Sequence, residues 1–185
     1  MHCKKPNELR IIGGKWRGRR IRFAARAGIR PTPDRVRETL FNWLAPVVEG
    51  SRCLDLFAGS GALGLEALSR GAAAATFVES DRISADRLRE TIAILGAGAP
   101  VVQAEALRWL DGSPERFDIV FLDPPFESGL LAEAFRKLDS GGWLSASARV
   151  YIEAPAKSGP PPLPAGWSLH RSGKAGAVGY HLALK

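Results

Sequence analysis

Four consecutive residues, Asp123-Pro124-Pro125-Phe126, combine an acceptor carboxylate, two residues of fixed φ that lack an N–H, and a flat apolar ring. They follow an apolar run, Phe117–Leu122, that reads as a buried strand. With no local donor to pair it, the Pro124 carbonyl is free to point into a cleft beside the Asp123 carboxylate. Two such acceptors suit one chemical task. An exocyclic amino group on a purine or cytosine is a poor nucleophile, because its lone pair is delocalised into the ring. If both N–H bonds are held by acceptors, the nitrogen can pyramidalise and aim that pair at an electrophile, while Phe126 stacks on the base. The base must first be unstacked or flipped out. A rigid Pro-Pro turn with a helix-capping acid would account for the four residues alone; their place after a strand and downstream of a glycine loop favours the chemistry.

That loop is Gly59-Ser60-Gly61-Ala62-Leu63-Gly64, a G-x-G-x-x-G pattern lying between a strand and a helix. By itself it indicates a nucleotide-like ligand. Asp55, four residues before Gly59 at the end of the first strand, narrows the choice. It would repel a dinucleotide pyrophosphate but attract the ammonium group of S-adenosylmethionine. Gly59, Ser60 and Gly61 are therefore read with Asp55 as cofactor-binding. Glu79, closing the next strand, can accept bonds from both ribose hydroxyls, and Glu105, after the third strand, can flank the adenine. Asp123 borders the same site. The sulfonium is an activated donor, so no metal is expected. Three scattered histidines (His2, His170, His181) and two unpaired cysteines (Cys3, Cys53) offer no ligand spacing for one.

The elements that position these residues follow an alternating pattern. Apolar runs at 53–57, 74–78, 101–102 and 117–122 read as parallel strands, and 62–70, 82–95 and 106–110 as the helices between them. A further helix near 130–138, a strand at 149–152, a Pro-rich loop at 155–164 and a hairpin from 167–171 and 179–184 complete the chain. The fold class is α/β, a doubly wound, Rossmann-like and mainly parallel sheet with its ligand site at the carboxyl ends of the strands. Upstream, Thr32-Pro33-Asp34 is expected to cap a helix whose Val36, Leu40, Trp43, Leu44 and Val47 share one face.

Charge is distributed unevenly. Residues 1–37 hold twelve bases and two acids, whereas the remaining 148 hold fourteen bases and seventeen acids. Within the basic segment, 9–12 and 15–23 read as strand pieces joined at Gly13-Gly14, with Lys15, Arg17 and Arg19 on one side and Trp16 on the other. An extended, glycine-broken basic hairpin suits an RNA backbone better than a membrane surface, which would call for an amphipathic helix. Arg10, Lys15, Arg17, Arg19, Arg20, Arg22, Arg30 and Arg35 are the candidate RNA contacts. The chain is thus divided into an RNA-binding extension at 1–30 and a catalytic domain at 31–185. Lacking a long apolar run or signal-peptide core, it is expected to be cytoplasmic.

These segments resemble a known family. Asp55-Leu56-Phe57-Ala58-Gly59-Ser60-Gly61 with Asp123-Pro124-Pro125-Phe126 is similar to class I S-adenosylmethionine-dependent methyltransferases acting on exocyclic amines. Arg10 to Gly18, Arg30-Pro31-Thr32, Asp34 to Leu44, Leu63 to Arg70 and Trp167 to Arg171 resemble the RsmD family of bacterial 16S rRNA guanine-N2 methyltransferases. The resemblance implies a seven-stranded class I sheet, one guanine of 16S rRNA as target and a small-subunit assembly particle as substrate; action as a monomer is a separate expectation. It also implies that residues 55–61 and Glu79 bind cofactor and that 123–126 hold the guanine. Thr91 stands where the family is expected to have asparagine. Two other functions compete: an adenine-N6 methyltransferase of DNA or RNA, and a non-catalytic RNA-binding assembly factor.

Overall fold

Alternate residues of the central strands are apolar on both sides, so the sheet needs cover on both faces. The computed structural model describes residues 7–24, 32–126 and 129–185. In chain order the elements are β1 (Glu8–Arg10), β2 (Arg20–Arg22), α1 (Asp34–Leu44), β3 (Arg52–Asp55), α2 (Ala62–Ser69), β4 (Ala74–Glu79), α3 (Arg82–Leu95) and β5 (Val101–Gln103). They continue with α4 (Ala106–Trp109), β6 (Phe117–Leu122), α5 (Leu130–Ser140), β7 (Leu144–Pro155), β8 (Ser168–Ala175) and β9 (Val178–Leu184). Seven strands form one sheet in the order β5-β4-β3-β6-β7-β9-β8, parallel through β7 and antiparallel beyond it. This is the expected α/β architecture.

The chain's first sheet strand, β3, lies beside its fourth, β6, so the winding reverses between them. Crevices at such a reversal are where open α/β sheets bind ligands. Cys53, Phe77, Ile119, Phe121 and Tyr151 pack under α1, α2 and α3 on one face. Leu54, Leu56, Val120, Leu122 and Ile152 pack with Leu110, Phe135 and Leu138 on the other.

Two local expectations are corrected. Residues 15–23 do not form one strand: Gly14–Trp16 is a single 3-10 turn, the ladder is confined to β1 and β2 with Leu9 opposite Ile21, and only single bonds such as Ile11 N–H to the Arg19 carbonyl extend it. The cause is close docking on α2. Gly14 has φ +73°, and a Cβ there would lie 1.8 Å from the Ser69 carbonyl oxygen. The Trp16 N–H donates to Ser69 Oγ at 3.0 Å, and that hydroxyl donates to the Gly13 carbonyl at 2.6 Å. Lys15, Arg17 and Arg19 therefore do not line one side of a strand, and Lys15 instead lies over the buried Trp16 ring. Second, Thr32 does not cap α1. The helix begins at Asp34, behind Pro33 and without a side-chain cap, while the Thr32 hydroxyl turns to Glu153.

The basic hairpin is held by ions as well as apolar packing. Leu9, Ile11, Trp16 and Ile21 join the same core as α1 to α3. Beneath them, the fully buried Glu66 carboxylate accepts from the N–H groups of Ile12 (2.9 Å) and Gly13 (2.8 Å), from Arg70 (2.8 Å) and from Arg37 (3.4 Å). Arg37, buried as well, donates to the carbonyls of Arg10 and Thr32 and to Asp34. It thus belongs to the core, although its charge counts toward the basic segment.

Candidate functional site

Four acids stand at the carboxyl ends of four neighbouring strands, all on the α1 side. Asp55 pairs in register with Phe77 on β4 and with Phe121 on β6, and Phe121 pairs with Tyr151 on β7. Two residues further along, where side chains return to the same face, come Glu79, Asp123 and Glu153. Across the sheet the acids therefore run Glu79, Asp55, Asp123, Glu153.

Asp55 and Glu79 are tied to the glycine loop. Asp55 is buried and accepts from the Gly64 N–H, at the start of α2, at 3.0 Å. Burial raises its pKa to about 7, against that bond, with the charges of Glu79 and Glu153 adding to the rise. Glu79 accepts from the Gly59 N–H through one oxygen and from the Asp81 N–H through the other, each at 2.7 Å. Each oxygen keeps a second lone pair for a ligand hydroxyl. Gly59, at φ +50°, has only the Phe57 carbonyl oxygen within 4 Å of where a Cβ would sit, so the loop leaves an open approach. Gly61, at φ +74°, caps α2, and a Cβ there would meet Leu88 at 2.4 Å. The chain thus offers a bare backbone turn, a carboxylate with free lone pairs and a buried acid, with no cation in the loop. That set fits a nucleoside bearing an ammonium group and disfavours a pyrophosphate. Ser60 is buried in the turn, Phe57 is half-buried, and Glu105 is exposed at the head of α4, two residues beyond β5. Thr91 is buried in α3 with its hydroxyl on the Arg87 carbonyl.

Asp123 differs from the other three. Among the described residues no donor reaches its side chain, and none reaches the Pro124 carbonyl. Its pKa is raised well above the usual carboxylate range, by burial first and then by the charges of Glu153 and Asp55. Phe126 remains 41% exposed. Beside it opens an apolar cleft of about 240 Å³, lined by Pro124, Pro125, Leu130, Phe135, Pro155 and Pro161 among others.

Sequence reasoning overlooked Glu153, the fourth acid. It is 3% exposed, and its Oε1 accepts from the hydroxyls of Thr32 (2.6 Å) and Tyr151 (2.9 Å). The signal available was a glutamate after the apolar run Val150–Ile152 in β7, the strand next in order to the one that Asp123 follows.

The candidate RNA contacts form a separate group. Arg10, Lys15, Arg17, Arg19 and Arg35 are exposed, and Arg20 and Arg22 share Glu8 at 3.6 and 3.1 Å while remaining largely in solvent. Arg30 and the linker around it lie outside the described residues. Among those described, no helix is long and apolar enough to cross a membrane.

Known proteins match this arrangement over nearly its whole length. The family model called Conserved hypothetical protein 95 covers residues 9–184. Ribosomal RNA small subunit methyltransferase D of Escherichia coli is 52% identical over 97% of this chain and 93% of its own. The Haemophilus influenzae protein of the same name is 43% identical, over 95% and 93%. The solved structure of Escherichia coli yhhF, assigned as a methyltransferase, superposes with a TM-score of 0.88 at 51% identity, covering 96% of this chain and 98% of that one. At 22% identity and a TM-score of 0.69, a Thermus thermophilus 16S rRNA N2 G1207 methyltransferase, solved with AdoMet and guanosine, shares the fold across 98% of this chain and 50% of its own. Matched from its first hairpin to its last strand, the chain belongs to the ribosomal RNA small subunit methyltransferase D family.

Proposed function

We propose that this protein transfers a methyl group from S-adenosylmethionine to the exocyclic N2 of a guanine in 16S rRNA. The observation that carries the reading is the pair of acceptors at Asp123 and Pro124, one strand from the loop that Asp55 and Glu79 brace. When bound, S-adenosylmethionine supplies a sulfonium-activated methyl group whose C–S bond breaks as the N–C bond forms, leaving the bonding pair on sulfur. Everything else falls to the chain's own residues. Asp55 draws the ammonium group, Glu79 the ribose hydroxyls, and Ser60 and the Gly59–Gly61 turn accept the nucleoside at the backbone, with Phe57 and Glu105 at its margins. Asp123 and Pro124 hold the two N–H bonds of the amine, Pro125 fixes the turn, and Phe126 stacks on the base. Rate comes from alignment and from acceptors already in place.

The relatives, named as small-subunit rRNA methyltransferases, support rRNA of the small subunit as substrate, and the Thermus enzyme solved with guanosine gives a precedent for such a nucleoside on this fold. Residues 1–30 supply the RNA grip, with Arg10, Lys15, Arg17, Arg19, Arg20, Arg22, Arg30 and Arg35 on phosphates, and 31–185 the catalytic domain. The protein acts in the cytoplasm, as a monomer, on a small-subunit assembly particle.

The test is to incubate labelled S-adenosylmethionine with naked 16S rRNA, assembled small subunits and DNA, and to identify the modified nucleoside. N2-methylguanosine is expected. N6-methyladenine would replace the reading with adenine methylation, and no label in any substrate would leave an RNA-binding assembly factor.

A further inference from the structure

We propose that Glu153 is a positioning residue for the transfer: it shares one proton with Asp123 and so sets how readily Asp123 holds and then deprotonates the target amine. The inference rests on the amine-methylating reading above. It starts from register. Leu122 pairs with Ile152; Asp123 directly follows Leu122 where β6 ends, Glu153 follows Ile152 in β7, and the Glu153 charge acts on Asp123. A buried and a half-buried carboxylate so placed disfavour double ionisation, and the pair retains a proton at a pH where either acid alone would be an anion.

The hydrogen bonds divide the roles within the pair. Both hydroxyl donors, from Thr32 and Tyr151, converge on Glu153 Oε1. Among the described residues Oε2 has no donor, and the Asp123 carboxylate has none. Burial raises both carboxyls, and the Thr32 and Tyr151 hydroxyls draw Glu153 part of the way back. Tyr151 itself is pushed well above its ordinary range by burial and by Glu153, so it stays a donor.

The surroundings add no compensating charge. Asp55 acts on the pair from β3, with Glu79 beyond it on β4. From β9, Tyr180 is the register partner of Glu153, whereas His181 lies on the opposite face with its Nδ1 on the Ser172 hydroxyl. From the α1 side comes Thr32, whose carbonyl takes a bond from Arg37, and the Arg37 charge is met by Asp34 and Glu66. Among the described residues no cation adjoins the two acids.

The proton accounting is direct. Once the nitrogen has gained a methyl group it carries a positive charge and one proton too many. One N–H bond breaks, its pair returns to nitrogen as the lone pair, and the proton passes to the Asp123 carboxylate and from there to water. An Asp123 raised by its neighbour is a better acceptor for that proton than an ordinary aspartate.

Glu153→Gln tests this, because its amide oxygen can keep both hydroxyl bonds while the charge is removed. With the wild type methylating an exocyclic amine, the variant should shift the acid limb of kcat/KM downward by about one pH unit. Its plateau kcat should fall severalfold, and its KM for the methyl donor should be unchanged. Infrared titration of the ligand-free protein gives a readout independent of activity: the wild-type minus variant difference should show a carboxyl releasing its proton above about pH 5. Should Glu153→Gln not fold, Thr32→Val removes one donor from Oε1 and should move the limb the same way by less. Superimposable pH profiles, or a difference titration confined to the ordinary carboxylate range, would overturn the role of Glu153. If the wild type labels no exocyclic amine, the functional reading fails first and this inference with it.

Discussion

At the residue scale, the four strand-end acids are distinguished by what they already hold. Asp55 and Glu79 bond to the backbone of the glycine loop, Glu153 to two hydroxyls, and Asp123 to no described donor. Asp123→Ala should therefore cost turnover roughly a thousandfold, as loss of a positioned acceptor does, with little change in S-adenosylmethionine affinity by calorimetry. Equal loss of affinity would place Asp123 in the cofactor site instead. Asp55 makes a different prediction through its proton. The folded protein keeps that proton up to about pH 7, whereas an unfolded chain releases it near the ordinary value of about 4. The folded state binds more protons across that window, so raising the pH through it lowers the stability of the ligand-free protein. Bound ammonium favours the anion, so cofactor affinity should rise over the same range. Thermal melts and binding isotherms against pH check both, and Asp55→Asn should flatten each curve.

At the element scale, the sequence was most readable where periodicity and local chemistry agreed. The pattern over 82–95 predicts a helix, and α3 has those bounds, because Asp81 caps it through the Ser84 N–H and Gly96 ends it at φ +62°. The hairpin was less readable, because its shape depends on residues more than fifty positions away: Glu66 and Ser69 on α2 take the bonds that a longer β-ladder would otherwise use. The Thr32 contact escapes a local pattern for the same reason, its partner Glu153 being 121 positions distant. Local pattern carries no record of such a pairing. The loop acids and the Asp123 turn were legible because they lie within short motifs, whereas Glu153 became visible only through strand order. The Glu66 cluster yields its own prediction. Glu66→Gln leaves Arg37 buried without its carboxylate and weakens the grip on Ile12 and Gly13, so stability should drop by about 3 kcal/mol in denaturant unfolding. A change within error would mean that apolar packing alone docks the hairpin.

At the scale of the whole molecule, charge and chemistry occupy different regions. The first 37 residues carry an excess of ten positive charges and the remainder a deficit of three. The site at the strand ends is acidic, which suits a cationic methyl donor but repels phosphate. On the proposed reading RNA is held away from that site, by the exposed Arg10, Lys15, Arg17, Arg19 and Arg35 of the hairpin and the start of α1. Binding of this kind releases counterions, so the logarithm of RNA affinity should fall linearly with the logarithm of salt concentration. Removing Arg17 and Arg19 together should weaken binding to any RNA and reduce the slope by roughly one per lost phosphate contact. At saturating RNA the double variant should still methylate at the wild-type rate, because neither side chain belongs to the acid row. Filter binding across a salt series, paired with single-turnover labelling, separates the two quantities. An unchanged slope would take the hairpin out of RNA contact, and a slowed single turnover would make it part of target presentation.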